Sequence, residues 1–266
     1  MTEHEFRRIV TYVKRNSGID LEQKKVLITG RLTNYLLQNG YDSYDQLMND
    51  VETDITRKKS EELINILTTN HTYFMREFEH LDFMRKVVLP ELKEREKDSR
   101  DLHIWCGASS TGEEPYTMAM VIKDFFGLEH SQWDTRILAT DLSTRVLEHA
   151  QRGIYLKEQI SSLPPNWQRR YFKQIDEERF EAKPELKNEV IFRQFNLMDP
   201  LPFKRQLHVV FLRNVMIYFD EETKRRLIDR IYEFMVPGGY LFIGASEALD
   251  RDYTAFRYVR PSVYRK

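Results

Sequence analysis

Residues able to do chemistry gather in four places along the chain. The first is Thr68-Thr69-Asn70-His71-Thr72-Tyr73-Phe74-Met75-Arg76-Glu77, where hydroxyls, an amide, aromatics and an arginine fall together with little apolar period. Arg76 could fork a carboxylate, and the Tyr73 and Phe74 rings could face a cation. A helix-capping junction reads equally well from this stretch alone, and His71 by itself reads as a surface histidine. The second place is Gly107-Ala108-Ser109-Ser110-Thr111-Gly112, which runs into Glu113-Glu114-Pro115. The third is Asp141, at the end of Thr135–Asp141. The fourth is Arg213-Asn214, directly after the apolar Leu207–Leu212.

The glycine-bounded loop limits the ligand. A dinucleotide fingerprint needs a third glycine and lays a pyrophosphate on the helix N-terminus. In this loop two carboxylates, Glu113 and Glu114, occupy the first turn; they suit the helix dipole but repel an anion. No Gly-Lys-Ser/Thr follows, so a P-loop is excluded. A nucleoside with a cationic group and no phosphate fits better, and S-adenosylmethionine is such a ligand. The bland alternative is a plain connection between strand and helix. Asp141, at the end of the second strand, is placed to accept both ribose hydroxyls. Its other possible role, capping the helix Val146–Gln151, can fall to Ser143. Arg213 and Asn214 lie at the carboxyl end of a buried strand, where open α/β sheets bind ligands.

These residues need a frame. Ile104–Gly107 reads as a strand, and Met118, Ala119, Val121, Ile122, Phe125 and Phe126 follow at helical spacing. Pro115 suits a first helical turn, and Ser110 or Thr111 could cap it. Residues 1 to about 68 read as all-helical. Phe6, Ile9, Val10 and Val13 keep the helical period up to Gly18. Val26, Leu27, Leu32, Tyr35 and Leu36 form a second pattern, stopped at Asn39-Gly40. Tyr44–Leu47 and Leu63–Leu67 are shorter helical stretches. Phe78–Leu92 is expected as one helix, with Leu81, Met84, Val87 and Val88 apolar. Between Gly153 and about Asn196 the α/β rhythm breaks. Gly153-Ile154-Tyr155 reads as loop, while Arg179–Ala182 and Val190–Phe195 read as antiparallel strands of an insertion. Arg225–Met235 reads as a helix stopped by Pro237-Gly238-Gly239, followed by strands at Tyr240–Gly244 and Phe256–Tyr264. The expected fold is α/β, a Rossmann-like S-adenosylmethionine-binding domain at 76–266 behind an N-terminal all-helical domain at 1–75. A small antiparallel β subdomain is inserted at about 153–195.

Composition narrows the function classes. With 266 residues, 41% of them hydrophobic, the chain supports one large core and a satellite. The net charge of -1 disfavours bulk phosphate-backbone binding, so no nucleic acid partner is expected. Basic positions in the helical region read as a solvated face or as a contact surface for an acidic protein. The one cysteine, Cys106, excludes internal disulfides and reads as a small buried residue rather than a nucleophile. The opening Thr2-Glu3-His4-Glu5 is not a secretory signal, and no apolar run approaches a membrane span. A cytoplasmic protein is expected, with no metal site and no membrane insertion.

The motifs together resemble the CheR family of S-adenosylmethionine-dependent chemotaxis-receptor methyltransferases, over essentially the whole chain. Thr69–Glu77 resembles its T-N-x-T-x-F-x-R-E segment. Trp105–Tyr116 is similar to its S-T-G-E-E-P-Y loop. Phe211–Phe219 is similar to its C-R-N-V-x-I-Y-F segment, with Leu212 in place of the usual cysteine. The resemblance implies cofactor contacts at Asn70, Thr72, Arg76, Glu114, Asp141, Asn196, Leu197, Arg213 and Asn214. It places Arg76 and Tyr218 nearest the transferred methyl. It implies methyl esterification of glutamates on the cytoplasmic helices of membrane chemoreceptors; separately, a monomer is expected. Part of the family binds a receptor tail peptide on its inserted sheet. The hairpin turn between Phe172 and Leu186 is short and lacks glycine, so the tail-independent type is expected. Rival classes are a methyltransferase of RNA or a small molecule, and a cofactor-binding regulatory adaptor.

Overall fold

A computed structural model describes residues 1–266. Four helices come first: α1 (Glu3–Ser17), α2 (Lys25–Asn39), α3 (Tyr44–Thr53) and α4 (Lys58–Leu67). Thr2 and Glu5 close a reciprocal capping box at the start of α1, which satisfies two donors the helix leaves open. Phe6, Ile9, Val10 and Val13 are buried, as their spacing requires. In α2 the core places go to Ile28, Leu32 and Leu36, four residues apart, while Val26 is 89% exposed. Leu32 and Leu36 are buried as expected, and Ile28 takes the core place expected for Val26.

After an irregular segment come α5 (Phe78–Phe83) and α6 (Leu89–Arg95), joined through a π-helical turn at Met84–Val88. Pro90 explains the widened turn: it has no N–H for the carbonyl four residues back, and its ring crowds that carbonyl. The expected helix is present but not uniform, and Val87 falls on its exposed side.

The sheet-bearing part then follows in chain order: β1 (Ile104–Gly107), α7 (Glu113–Phe126), β2 (Ile137–Asp141) and α8 (Thr144–Arg152). Next come β3 (Ile154–Leu156), α9 (Lys157–Ile160), α10 (Pro165–Tyr171), β4 (Phe172–Gln174), β5 (Arg179–Ala182) and α11 (Pro184–Lys187). The chain ends with β6 (Val190–Gln194), β7 (Leu207–Leu212), α12 (Glu221–Phe234), β8 (Met235–Ile243), β9 (Arg257–Arg260) and β10 (Val263–Arg265). The main sheet has the order β6-β2-β1-β7-β8-β10-β9, with β10 and β9 antiparallel. The chain winds outward from β1 to β6, then returns to place β7 on the other side of β1. That reversal opens a crevice at the carboxyl ends of β1 and β7.

Two corrections concern the insertion. Val190–Gln194 is no part of the antiparallel sheet; it pairs parallel with β2, from Ile137↔Val190 to Asp141↔Gln194, at the edge of the main sheet. An edge strand covered on one face alternates in burial whichever sheet it joins, so alternation could not decide. The small sheet is instead β3-β5-β4, and Ile154–Leu156 supplies a strand where a loop was expected. At the far end α12 begins at Glu221, capped by Asp220, four residues before the expected start. Pro237-Gly238-Gly239 does not separate helix from strand. It lies within β8, where Leu207↔Met235 gives way to Val209↔Tyr240, a bulge that absorbs the extra residues.

Successive residues of β1 and β7 point to opposite faces. Ile104, Cys106, Val209 and Phe211 pack with α5, α6 and α7, and with the small sheet. Trp105, Val210 and Leu212 pack on the other face, in one core that runs through α12 into the N-terminal helices. The helical region thus shares its apolar interior with the sheet.

Candidate functional site

The loop after β1 is tightly curled: Ala108, Ser110 and Gly112 all have positive φ, at 59°, 49° and 95°. Gly112 cannot be replaced without strain, since a Cβ there would lie 2.8 Å from the Ala150 Cβ. Neither Ser110 nor Thr111 caps α7; Gly112 occupies the N-cap position without a side-chain bond. The two hydroxyl residues hold other partners. Thr111 Oγ1 donates to Glu113 Oε2 at 2.6 Å, and the Ser110 hydroxyl donates to the Asn70 carbonyl at 3.3 Å. The Ser110 amide donates to Asp141 Oδ2 at 2.8 Å.

Only one of the two acids of α7 faces the crevice. Glu113 is buried on the side of Thr111 and Gln159, and burial pushes its carboxyl above the ordinary range. Glu114 points to the crevice and accepts from Arg213 Nη1 at 2.7 Å and from the Cys106 thiol at 3.2 Å. Cys106 is fully buried, and burial first, then the Glu114 charge, raises its thiol far above the usual value. A thiol held neutral is no nucleophile.

Arg213 is the centre of the charged wall. Its side chain is 1% exposed, and it lies between Glu114 at 2.7 Å and Glu77 at 3.1 Å while donating to the Arg76 carbonyl at 2.8 Å. Burial alone would raise the Glu77 carboxyl, but Arg213, the Ala245 amide and Asn214 together hold it below its ordinary value. His80 beside it is pushed down to about 4, by burial and then by Arg213. Asp141 is buried too, and burial raises it against the pull of backbone amides at 110, 142 and 143. On the inner wall Glu114 and Asp141 stand against the Arg213 guanidinium, which Glu77 also pairs from outside the cavity, and this balance makes the wall attractive to a cation.

All ten expected site residues line one cavity of about 500 Å³: Asn70, Thr72, Arg76, Glu114, Asp141, Asn196, Leu197, Arg213, Asn214 and Tyr218. Several are already engaged with protein. Asp141 binds two loop amides through both oxygens, so it shapes the loop as well as facing the cavity. Asn196 donates to the Asn16 carbonyl at 2.6 Å, tying the sheet to α1. Arg76 donates to the His71 carbonyl at 2.8 Å and stacks on Tyr73. Tyr218 Oη reaches the Thr69 carbonyl at 3.4 Å. The aromatic pair Tyr73 and Phe74 does not face a bound cation. Phe74 is wholly buried, edge-on against Tyr155 and Phe172, and neither ring lines the cavity. The apolar surface of Phe74 wins over its π face.

Sequence reasoning missed three things. The outer wall comes from the helical region, through Ser17, Ile19, Asp20, Lys24 and Leu27. Glu77 has no signal in the sequence beyond its place in the 68–77 stretch and Glu247 has none, though each binds groups at the end of β7. Tertiary pairing alone reveals both.

Residues 4–68 match the family model for the CheR methyltransferase all-alpha domain, and residues 70–264 match the one for the CheR methyltransferase SAM binding domain. The chain belongs to the CheR methyltransferase family. It is 37% identical to the chemotaxis protein methyltransferase of Borreliella burgdorferi, over 100% of this chain and 95% of that one. Chemotaxis protein methyltransferase 1 of Pseudomonas aeruginosa is 35% identical over 92% of this chain and 90% of its own. The Escherichia coli chemotaxis protein methyltransferase is 33% identical, over 96% and 88%. This CheR protein is an S-adenosylmethionine-dependent methyltransferase. Its cavity fits that cofactor on three counts. The volume falls within the range of about 300–1,000 Å³ usual for small-ligand sites. The inner wall is acidic. The buried Ser109 hydroxyl and Arg213 Nε have no protein partner and remain to be satisfied.

Proposed function

We propose that this CheR protein esterifies glutamate side chains on the cytoplasmic helices of chemoreceptors. The observation that carries the reading is the single cavity in which an acidic inner wall, Glu114 and Asp141, meets a mouth bearing Arg76 and Tyr218. Glu114, Asp141, Asn70, Thr72, Asn196, Leu197, Arg213 and Asn214 would hold the cofactor, with Asp141 on the ribose. S-adenosylmethionine supplies, when bound, an electrophilic methyl on a sulfonium. An acceptor carboxylate of pKa about 4.3 is already ionised at neutral pH, so no residue need remove a proton. Arg76 orients that carboxylate, and Tyr218 lines its path. Arg76 keeps its bond to the His71 carbonyl and its stacking on Tyr73, which restrains it from over-stabilising the ground-state carboxylate. What the chain contributes is alignment and exclusion of water, which can lower a barrier by about 7–11 kcal/mol at best. Docking without a receptor tail peptide is part of the proposal. The β4–β5 turn is closed by Asp176, which accepts from the Glu178 and Arg179 amides, and projects no longer arm.

The test incubates the enzyme, methyl-labelled cofactor and a receptor cytoplasmic fragment, then treats the product with mild alkali. Release of volatile label as methanol supports the ester. Label that resists alkali, or that appears on added RNA instead, overturns the reading. Arg76→Ala at saturating cofactor separates binding from transfer, and a near-normal rate would remove Arg76 from the mechanism.

A further inference from the structure

We propose that Glu247 is a positioning residue for methyl transfer, clamping the turn that carries Asn214 and Tyr218. The inference rests on the role given above to those two side chains. Beyond Leu212 the chain reverses through Asn214, a non-glycine residue in left-handed backbone at φ 57°, and then makes one 3-10 turn at Met216–Tyr218. Such a conformation persists only when its surroundings hold it. Glu247 does the holding from the turn that follows β8. Its Oε2 accepts the Asn214 amide at 2.9 Å and the Gly244 amide at 2.6 Å, and its Oε1 accepts the Ile217 amide at 3.1 Å. One carboxylate thereby joins the end of β7, the 3-10 turn and the end of β8.

Nothing else competes for it. No lysine or arginine pairs with Glu247, so its acceptors are spent on backbone. It lies behind the turn, in a separate cavity of about 200 Å³, and does not line the main one. The strand end is cut to receive the turn: a Cβ on Gly244 would come within 2.9 Å of both the Asn214 nitrogen and Glu247 Oε2. The tyrosine itself has little hold at its tip, since its hydroxyl reaches the Thr69 carbonyl only at 3.4 Å. Its place is therefore set by backbone, by the Asp20 amide donating to the Tyr218 carbonyl at 2.7 Å and by Glu247 on the residue before it. A glutamine at 247 has one acceptor oxygen and would turn its NH2 toward an amide N–H. An aspartate is one methylene too short to reach all three amides.

The experiment compares Glu247→Gln, Glu247→Asp and Tyr218→Phe, alone and with Gln combined with Phe. Rates are taken per molecule competent to bind S-adenosylhomocysteine, which removes any loss through misfolding. A misplacement near 1 Å costs about 10²-fold in rate, so both Glu247 variants should lose roughly that in kcat while KM for the receptor fragment changes little. The amide resonances of Asn214, Gly244 and Ile217 should shift together. In the Tyr218→Phe background the further loss from Glu247→Gln should be much smaller, because coupled residues are not additive. Unshifted amides with wild-type kcat would overturn the clamp, and so would an undiminished loss in the Phe background. A wild-type rate for Tyr218→Phe alone would instead remove the tyrosine from the mechanism. The amide shifts and a fall in S-adenosylhomocysteine affinity through Asn214 would then still judge Glu247.

Discussion

Replacing Arg213 with methionine should be among the most damaging single changes in this protein, and its damage should depend on pH in a defined direction. The guanidinium is shared by Glu77 and Glu114, and its removal strands two enclosed carboxylates. Breaking a buried ion pair from one side costs about 3–5 kcal/mol. At about 2–4 °C per kcal/mol for chains of this size, the melting point should fall by roughly 10 °C. In the wild type the folded pKa of Glu77 is depressed. Its stabilisation is therefore complete above the unfolded value of about 4.3 and is lost as pH falls through the folded value. Without Arg213, burial dominates and the folded pKa rises above the unfolded one. The carboxylate then costs stability at pH 7, and the cost fades as acid protonates it. Urea titrations of wild type and Arg213→Met at pH 7 and pH 5 should show the larger difference at pH 7. Adding Glu77→Gln and Glu114→Gln should recover much of the loss, because no buried charge is then left unpaired. Equal differences at both pH values, or a loss below about 1 kcal/mol, would refute the electrostatic account of this wall.

Further outcomes follow from the same geometry. Asp141→Asn should weaken S-adenosylhomocysteine binding about 10-fold or more by calorimetry, as charge-assisted bonds are worth about 1.5–3 kcal/mol; part of that loss should appear as faster exchange of the Ser110 amide. Gly112→Ala should destabilise by about 1–3 kcal/mol, because it combines a left-handed backbone with a 2.8 Å contact to Ala150. Phe74→Ala should cost about 3–5 kcal/mol in unfolding experiments, yet leave cofactor affinity per folded molecule near normal, since the ring packs away from the cavity. The Cys106 thiol should label with Ellman's reagent at pH 8 only as fast as the protein unfolds, and prompt labelling of native protein would contradict its burial.

Local signals in the sequence reached far into the site, and their failures share a cause. The strand–loop–helix at Ile104–Phe126 and the buried run Leu207–Leu212 were readable because a continuous apolar strand and a glycine-bounded turn are encoded within a dozen residues. The roles of Glu114 and Arg213 were expected toward the ligand; their direct pairing was not, since 99 residues separate them. Val190–Gln194 shows the limit of periodicity: the pattern says that one face is covered but not by which sheet. Glu77 and Glu247 are single acids in unremarkable surroundings, and only the meeting of β7 with β8 and the 68–77 segment gives them purpose. The share of the N-terminal helices in the cavity wall likewise has no local signature.

Ile19, in the link between α1 and α2, forms a single antiparallel bridge with Phe219, next to the tyrosine at the cavity mouth. Both side chains also pack in the core shared by the helices and the sheet, so chimeras that graft the helical region of one relative onto the sheet of another should work best when residues 19 and 219 come from the same parent. Exchanging the helical region between relatives would disturb the seam that sets the place of the tyrosine.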